Sequence, residues 1–281
     1  DNKLNLKIKI SETDKFYVER INITGNYITE EKVLRNSLII DEGDAYNKIL
    51  LNKSINNIKG KNIFSKVNVK TIDGTEDRKK IIEINVEEKP TGEISAGAGT
   101  GTSGSTVSFG IRENNYLGRG VKLKASLSFS DTGLRGLFSS TNPNYKNSDR
   151  SLTTSVERVT EDLMDKFGFK NEKTGFSFGT SYEQFQNVYF SPEISNYYES
   201  LTTNSSASAA KKKQDGDYLD SYFNYGLSLN KLNQNYQPTD GYRSAFYQSI
   251  PLYSEDYSIA NKYTFSRYHS LTNDMILSYS I

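Results

Sequence analysis

Three stretches of this chain carry residue types that could do chemistry, and each is better explained by structure. Gly99-Thr100-Gly101-Thr102-Ser103-Gly104 has the spacing G-x-G-x-x-G. A dinucleotide site needs that loop to open a helix whose N-terminus faces a pyrophosphate. Here Ser105–Ile111 alternates polar and apolar residues as a strand does, so the stretch reads as a hairpin turn. His269 is the only histidine and lies in a strand pattern between Tyr268 and Ser270, where it reads as a structural or lumenal residue. One histidine without any cysteine cannot form a multi-histidine or thiolate zinc centre. Gly175-Phe176-Ser177-Phe178-Gly179 has the spacing G-x-S-x-G, but it alternates small and aromatic residues as a strand does and opens no helix, so no nucleophile elbow is recognised, and the carboxylates are scattered. The expectation is a protein that is not an enzyme and uses no cofactor or metal.

The 281 residues allow two modest domains or one large barrel. Thirty-five Lys and Arg against 34 Asp and Glu leave no basic excess, so no nucleic-acid partner is expected. Mean hydropathy is -0.66, and no run approaches the roughly 18 apolar residues a membrane helix needs. Strands of a membrane barrel give a much weaker hydropathy signal and stay allowed. Twenty Tyr and 14 Phe without a Trp fit interfacial aromatic girdles, although biased codon usage also raises Tyr, Asn, Lys and Ile. No signal peptide is visible at Asp1.

Up to about Pro90 the pattern is mixed. Residues 4–10 alternate as a strand, and a second strand runs from Phe16 to Ile23, closed by Gly25-Asn26. Thr29 stands as an N-cap before Glu30 and Glu31, followed by a short helix with Val33, Leu34 and Leu38 on one side. A loop, Asp41-Glu42-Gly43-Asp44, leads to a second helix with Leu51, Ile55 and Ile58 at helical spacing and Gly60 as terminator. Two strands carrying Val67, Val69 and Ile82, Ile84, Val86 close a β-α-α-β-β unit.

After Pro90 the period becomes two. Val121, Leu123, Ala125, Leu127 and Phe129 line one face of a strand, and Lys122, Lys124 and three serines the other. Similar alternation recurs at 107–112, 175–182 and 219–229. Small polar residues opposite large apolar ones suit a wide polar lumen with a lipid-facing skin, because a soluble core would need volume inside. Asn114–Gly120, Thr141–Asp149 and Gln237–Gly241 read as compact turns, and Glu161–Lys173 and Leu201–Asp217 as long loops. Lys211-Lys212-Lys213 reads as solvated loop, with lipopolysaccharide contact as the alternative.

The ordered succession of these motifs resembles the BamA outer-membrane protein assembly factor family over nearly the whole chain. Phe16-Tyr17-Val18-Glu19-Arg20-Ile21 with Gly25-Asn26, Glu42-Gly43-Asp44 and Ile63-Phe64-Ser65-Lys66-Val67 resemble points in that family's last POTRA domain. Val86-Glu87-Glu88-Lys89-Pro90-Thr91-Gly92 is similar to the handover into the first barrel strand. Asn115-Tyr116-Leu117-Gly118-Arg119-Gly120, Thr141-Asn142-Pro143 and Pro238-Thr239-Asp240-Gly241-Tyr242-Arg243 are similar to its barrel turns.

The resemblance implies the end of a preceding POTRA domain over 1–13, an α+β POTRA domain over 14–90, and the N-terminal part of an antiparallel transmembrane β-barrel over 91–281, with about eleven strands. The closing strands and the family's Arg-Gly-Phe loop would lie beyond Ile281, so this stretch alone is not expected to form a closed, active barrel. It implies a Gram-negative outer membrane, a periplasmic POTRA domain, compact turns facing the periplasm and long loops facing outside. Clients would be unfolded outer-membrane proteins, inserted without nucleotide hydrolysis, with periplasmic chaperones, BamD-like accessory lipoproteins and outer-membrane lipid as partners. Glu42 and Gly43 match the family's lipoprotein-contact motif. The first strand, Gly92, Glu93, Ile94, Ser95, Ala96, Gly97, Ala98 and Gly99 onward, matches its lateral seam, whose glycines weaken pairing. A TamA-like factor or a two-partner secretion transporter shares the architecture; a soluble β-rich adhesin is the reading from another class.

Overall fold

The computed structural model describes residues 14–101, 104–234, 237–255, 257–272 and 275–281; the strand expected at 4–10 and the preceding-domain end at 1–13 lie outside them. The first unit runs β1 (Tyr17–Thr24), α1 (Glu31–Arg35), α2 (Lys48–Gly60), β2 (Phe64–Asp73) and β3 (Lys79–Glu88). Its sheet has the order β1-β3-β2, with β1 parallel to β3 and β2 antiparallel to it. A bulge between Val18 and Arg20 shifts the strand parity, so Val18 and Ile21, three residues apart, both point into the core. They pack with Leu34, Ile40, Leu51, Ile58, Ile82, Ile84 and Val86. Each such aliphatic side chain contributes about 1.5–3 kcal/mol by leaving water.

Asn47, not an acidic residue, caps α2: its Oδ1 accepts from the N–H groups of Ile49 at 2.8 Å and Leu50 at 3.2 Å. One expected cap fails, and the expected terminator Gly60 ends its helix without taking the left-handed position itself. Glu30 occupies the N-cap of α1 without a side-chain bond, because Thr29 is buried and its hydroxyl is used elsewhere. Gly60 is the last residue of α2, and the left-handed conformation after it is taken by Asn62 (φ 58°). The asparagine tolerates that conformation, so the glycine is not needed for it.

The rest of the chain forms one antiparallel sheet of 11 strands in unbroken neighbour order, an open partial barrel. The strands are β4 (Gly92–Gly101), β5 (Gly104–Tyr116), β6 (Val121–Ser130), β7 (Gly133–Asn142), β8 (Ser151–Leu163), β9 (Phe169–Phe185), β10 (Val188–Thr203), β11 (Gly216–Asn230), β12 (Gly241–Tyr253), β13 (Ala260–Ser270) and β14 (Ile276–Ser280). The glycine run at 99–104 lies in the β4–β5 hairpin, where Gly101 pairs with Gly104 and no helix follows. The register puts Ile111, Ala125, Phe138, Val156 and Phe176 in one cross-strand row on the apolar face. Among the described residues no helix is long and apolar enough to cross a membrane.

Glu161–Lys173 is not a long loop. β8 and β9 stay paired to Leu163 and Phe169, leaving α3 (Met164–Phe167) and Gly168 as the connection. Charges of the segment pair on the sheet instead: Glu172 of β9 bridges to Arg158 of β8 at 2.9 Å and also meets Lys170 on its own strand at 3.3 Å. The segment after Thr203 is a genuine connection and contains α4 (Ala209–Lys212). There Lys211 sits 4.6 Å over the Phe169 ring and Lys212 donates to the Ser205 carbonyl, so two of the three lysines have partners within the chain. Asn115 and Tyr116 belong to β5, and Thr141 and Asn142 to β7, so the expected turns there are shorter.

The small residues on the polar face do more than widen a lumen. A Cβ on Gly175 would lie 2.5 Å from the Tyr197 ring, and one on Gly226 would lie 2.8 Å from the Tyr247 ring. These glycines make room for cross-strand tyrosines, which lie over them on the same face. His269 is exposed on the apolar-face parity of Phe265, 3.7 Å from Asp240, and is not lumenal.

Candidate functional site: the edge strand and its joint

β4 contrasts with every interior strand. It pairs through its backbone with β5 alone, from Gly92↔Glu113 to Gly101↔Gly104, and all ten of its residues are exposed. On the apolar parity it carries Ile94, Ala96 and Ala98, so Ile94, 86% exposed, is its one large apolar side chain. β11 offers Leu219, Phe223, Tyr225, Leu227 and Leu229 on the same face. On the polar parity lie Glu93, Ser95, Gly97 and Gly99. Side-chain support is sparse: Ser95 Oγ donates to the Gly110 carbonyl at 3.4 Å, Ser108 Oγ to the Gly97 carbonyl at 3.5 Å, and Glu93 faces Arg112 at 3.7 Å. The strand is therefore held almost wholly by its ladder with β5, and its other edge presents backbone donors and acceptors.

Glu42 and Gly43 lie in a loop beside the three-stranded sheet, over the free edge of β1. The Glu42 carboxylate accepts the Ile21 N–H at 2.9 Å and faces Arg35 at 3.6 Å. Gly43 (φ 95°) donates its N–H to the Val18 carbonyl, and Val18 and Tyr46 N–H groups bond to Asp44 and Phe16 carbonyls. The Glu-Gly loop thus closes part of an exposed strand edge.

A third feature was not read from the sequence: the joint between the two sheets. The β5–β6 turn packs under the start of α1. Asn115 Nδ2 donates to Thr29 Oγ1 at 2.8 Å, and Asn115 Oδ1 accepts the Gly120 N–H at 2.7 Å. The Glu30 N–H donates to the Gly118 carbonyl at 2.8 Å, and Arg119 reaches the Glu30 carboxylate at 3.3 Å. Thr29 is 2% exposed and Asn115 7%. A side chain at Gly118 (φ 71°) would put its Cβ 2.1 Å from the Ile28 carbonyl oxygen, so only glycine permits this approach.

Behind Thr29, Glu88 accepts the N–H groups of Ile28 at 3.0 Å and Thr29 at 2.7 Å. Burial works to raise the Glu88 pKa; hydrogen bonds from the Thr29 hydroxyl and the Ile28, Thr29 and Tyr27 N–H groups outweigh it and hold the carboxyl below its ordinary value. The signal for this joint was present as two glycines and an asparagine crowded into Asn115–Gly120, which a simple strand turn does not require. Among the described residues, no group of three or more His, Asp or Glu side chains is placed to hold a metal.

Fold and site together define a class: a small β-α-α-β-β unit docked by a buried polar joint onto the first hairpins of a large antiparallel barrel sheet. The profile of the Omp85 superfamily domain matches residues 115–281, and the POTRA profile, described as a surface antigen variable number repeat, matches residues 16–89. The chain belongs to the Omp85 superfamily. It is 25% identical over 250 residues to the outer membrane protein assembly factor BamA of Neorickettsia risticii, covering 87% of this chain and 33% of that protein. The chain thus spans about a third of the length of such relatives. Among solved structures, BamA from Haemophilus ducreyi lacking POTRA domains 1–3 matches with a TM-score of 0.68 at 20% identity, covering 94% of this chain and 55% of that one. CdiB from Escherichia coli matches with a TM-score of 0.65 at 13% identity, over 94% and 53%. The architecture expected from the residues, POTRA unit then antiparallel barrel sheet, is borne out.

Proposed function

We propose that this chain is the last POTRA domain and first barrel strands of an assembly factor that inserts and folds β-barrel proteins in the outer membrane of a Gram-negative bacterium. Residues 14–90 form the periplasmic domain and residues 91–281 the barrel part. Clients are unfolded outer-membrane proteins delivered by periplasmic chaperones, and outer-membrane lipid is the solvent of the apolar face. The observation that carries the mechanism is β4. From Gly92 to Gly99 it carries three glycines and one large apolar side chain, Ile94, so an incoming client strand can pair along its edge with little side-chain packing to disrupt. No nucleotide is required, because the free energy comes from the strand pairing and the burial of the client's apolar face.

Glu42 and Gly43 supply the contact for a BamD-like lipoprotein in this reading. Their loop is ordered by Ile21, Arg35 and Val18, and Glu42 keeps a half-exposed carboxylate to offer.

The test places a single Cys at Ser95 in the full-length protein and a second Cys in the C-terminal strand of a stalled barrel client. A disulfide that disappears when the client strand is scrambled supports templating at β4. An unfolded exported client trapped against the polar face, without that disulfide, would establish a secretion pore in its place.

A further inference from the structure

A crevice of about 440 Å³ separates the POTRA unit from the near mouth of the barrel sheet. Asn36, Asn56, Asn57 and Lys61 line it from the POTRA side, and Lys122 and Tyr189 from the sheet. Lys122 pairs with Thr141, and Tyr189 with Ser228, so both belong to the polar face. The crevice therefore opens toward the lumen and not toward lipid. None of its lining residues is acidic, and among the described residues neither lysine has a carboxylate within ion-pair distance. Burial, and then repulsion by Lys122, pushes the Lys61 ammonium below its ordinary pKa. Two cations brought together without an anion cost free energy that an entering anion recovers.

We propose that this crevice binds carboxylate side chains of an extended polypeptide at the lumenal mouth, with Lys61 and Lys122 as the anion clamp and the asparagines bonding the peptide backbone. Asparagine side chains both donate and accept, as unpaired peptide groups require. The polar parity of the barrel-side lining selects polypeptide over a lipid headgroup. The proposal rests on the client-handling reading and names where an acidic segment of a client would be held while its last strand waits at β4.

The test uses the full-length protein in detergent and a blocked, unstructured peptide rich in Asp and Glu. A water-soluble carbodiimide converts a bound carboxylate and a lysine amine into an amide, mapped by mass spectrometry. Conjugation at Lys61 or Lys122 is expected to exceed that at exposed Lys53 on α2. Lys122→Gln should lower the yield at Lys61 by about fivefold, the equivalent of one partly screened ion pair. A peptide with Asn and Gln in place of the acids should not compete. Equal labelling of Lys53 and Lys61 would overturn the proposal, as would competition by inorganic phosphate as strong as by unlabelled acidic peptide. The Ser95 disulfide assay is run on the same preparation. If it succeeds while the carbodiimide result is negative, the crevice assignment fails alone; if both are negative, the client-handling reading fails.

Discussion

Replacing Asn115 with Ala should loosen the POTRA unit from the barrel sheet without unfolding either. The side chain makes two buried bonds at once, donating to Thr29 Oγ1 and accepting the Gly120 N–H. Its removal leaves the Gly120 N–H without a partner and strips one bond from a threonine that is 2% exposed. Only the bond to Thr29 crosses between the units, and a buried polar group left unsatisfied costs roughly 1–3 kcal/mol. That is about a 5- to 160-fold shift in the docking equilibrium. Asn115→Asp should be no rescue, since it keeps the acceptor for Gly120 but sets a carboxylate beside Thr29 and Glu88. The chain has no cysteine, so spin labels at exposed Asn52 on α2 and Asp149 beyond β7 report on the two units alone. Pulsed dipolar spectroscopy should give one narrow distance for the parent and a broad distribution for the Ala variant. Superimposable distributions would refute the joint as the element that sets the angle between the units.

Three further outcomes are expected. Glu88 has a folded pKa below its ordinary value of 4.5, so its contribution is fully present above that pH and is lost as pH falls through the folded value. Exchange at the Ile28 and Thr29 amides should accelerate over that acidic window, and Glu88→Gln should abolish this pH dependence. Glu42→Lys removes the acceptor of the Ile21 N–H and sets a cation against Arg35; a loss of about 1–3 kcal/mol in urea unfolding of the POTRA unit is expected, with unchanged stability ruling out the edge-closing role. Gly175→Ala pushes a methyl into the Tyr197 ring and should cost about 1–3 kcal/mol, read as a lower melting temperature in detergent. The same change in a Tyr197→Ala background should cost much less.

What could be read from the sequence was what is periodic. Alternation located the interior strands because each residue on them faces either the apolar or the polar side for its whole length. The helices of the POTRA unit were legible from Leu51, Ile55 and Ile58 for the same reason. Thr29 misled because a cap and a long-range buried contact use the same residue type, and only the fold brings Asn115 to it, 86 positions away. Glu161–Lys173 misled because charges mark loops on average, whereas here Glu172 pairs with Arg158 on the neighbouring strand and with Lys170 on its own. The tyrosine–glycine pairs were invisible since they link different strands, and their register is a property of the whole sheet.

The joint and the edge strand are adjacent in a way that assigns them opposite mechanical roles. β3 ends at Glu88, whose carboxylate anchors the joint, and β4 begins at Gly92. Between them the Thr91 carbonyl accepts the Asn114 N–H at 3.3 Å, tying the entrance of β4 to the β5–β6 turn. On one side of this connection the chain is fixed by buried bonds and by a glycine that tolerates no side chain. On the other it is a ten-residue strand with one large apolar side chain and a single ladder. Strain applied to the POTRA unit therefore cannot dissipate in the joint. It passes to the next element along the chain, which is the pairing of β4, and under the proposed function the POTRA unit would steer that edge through this difference in stiffness.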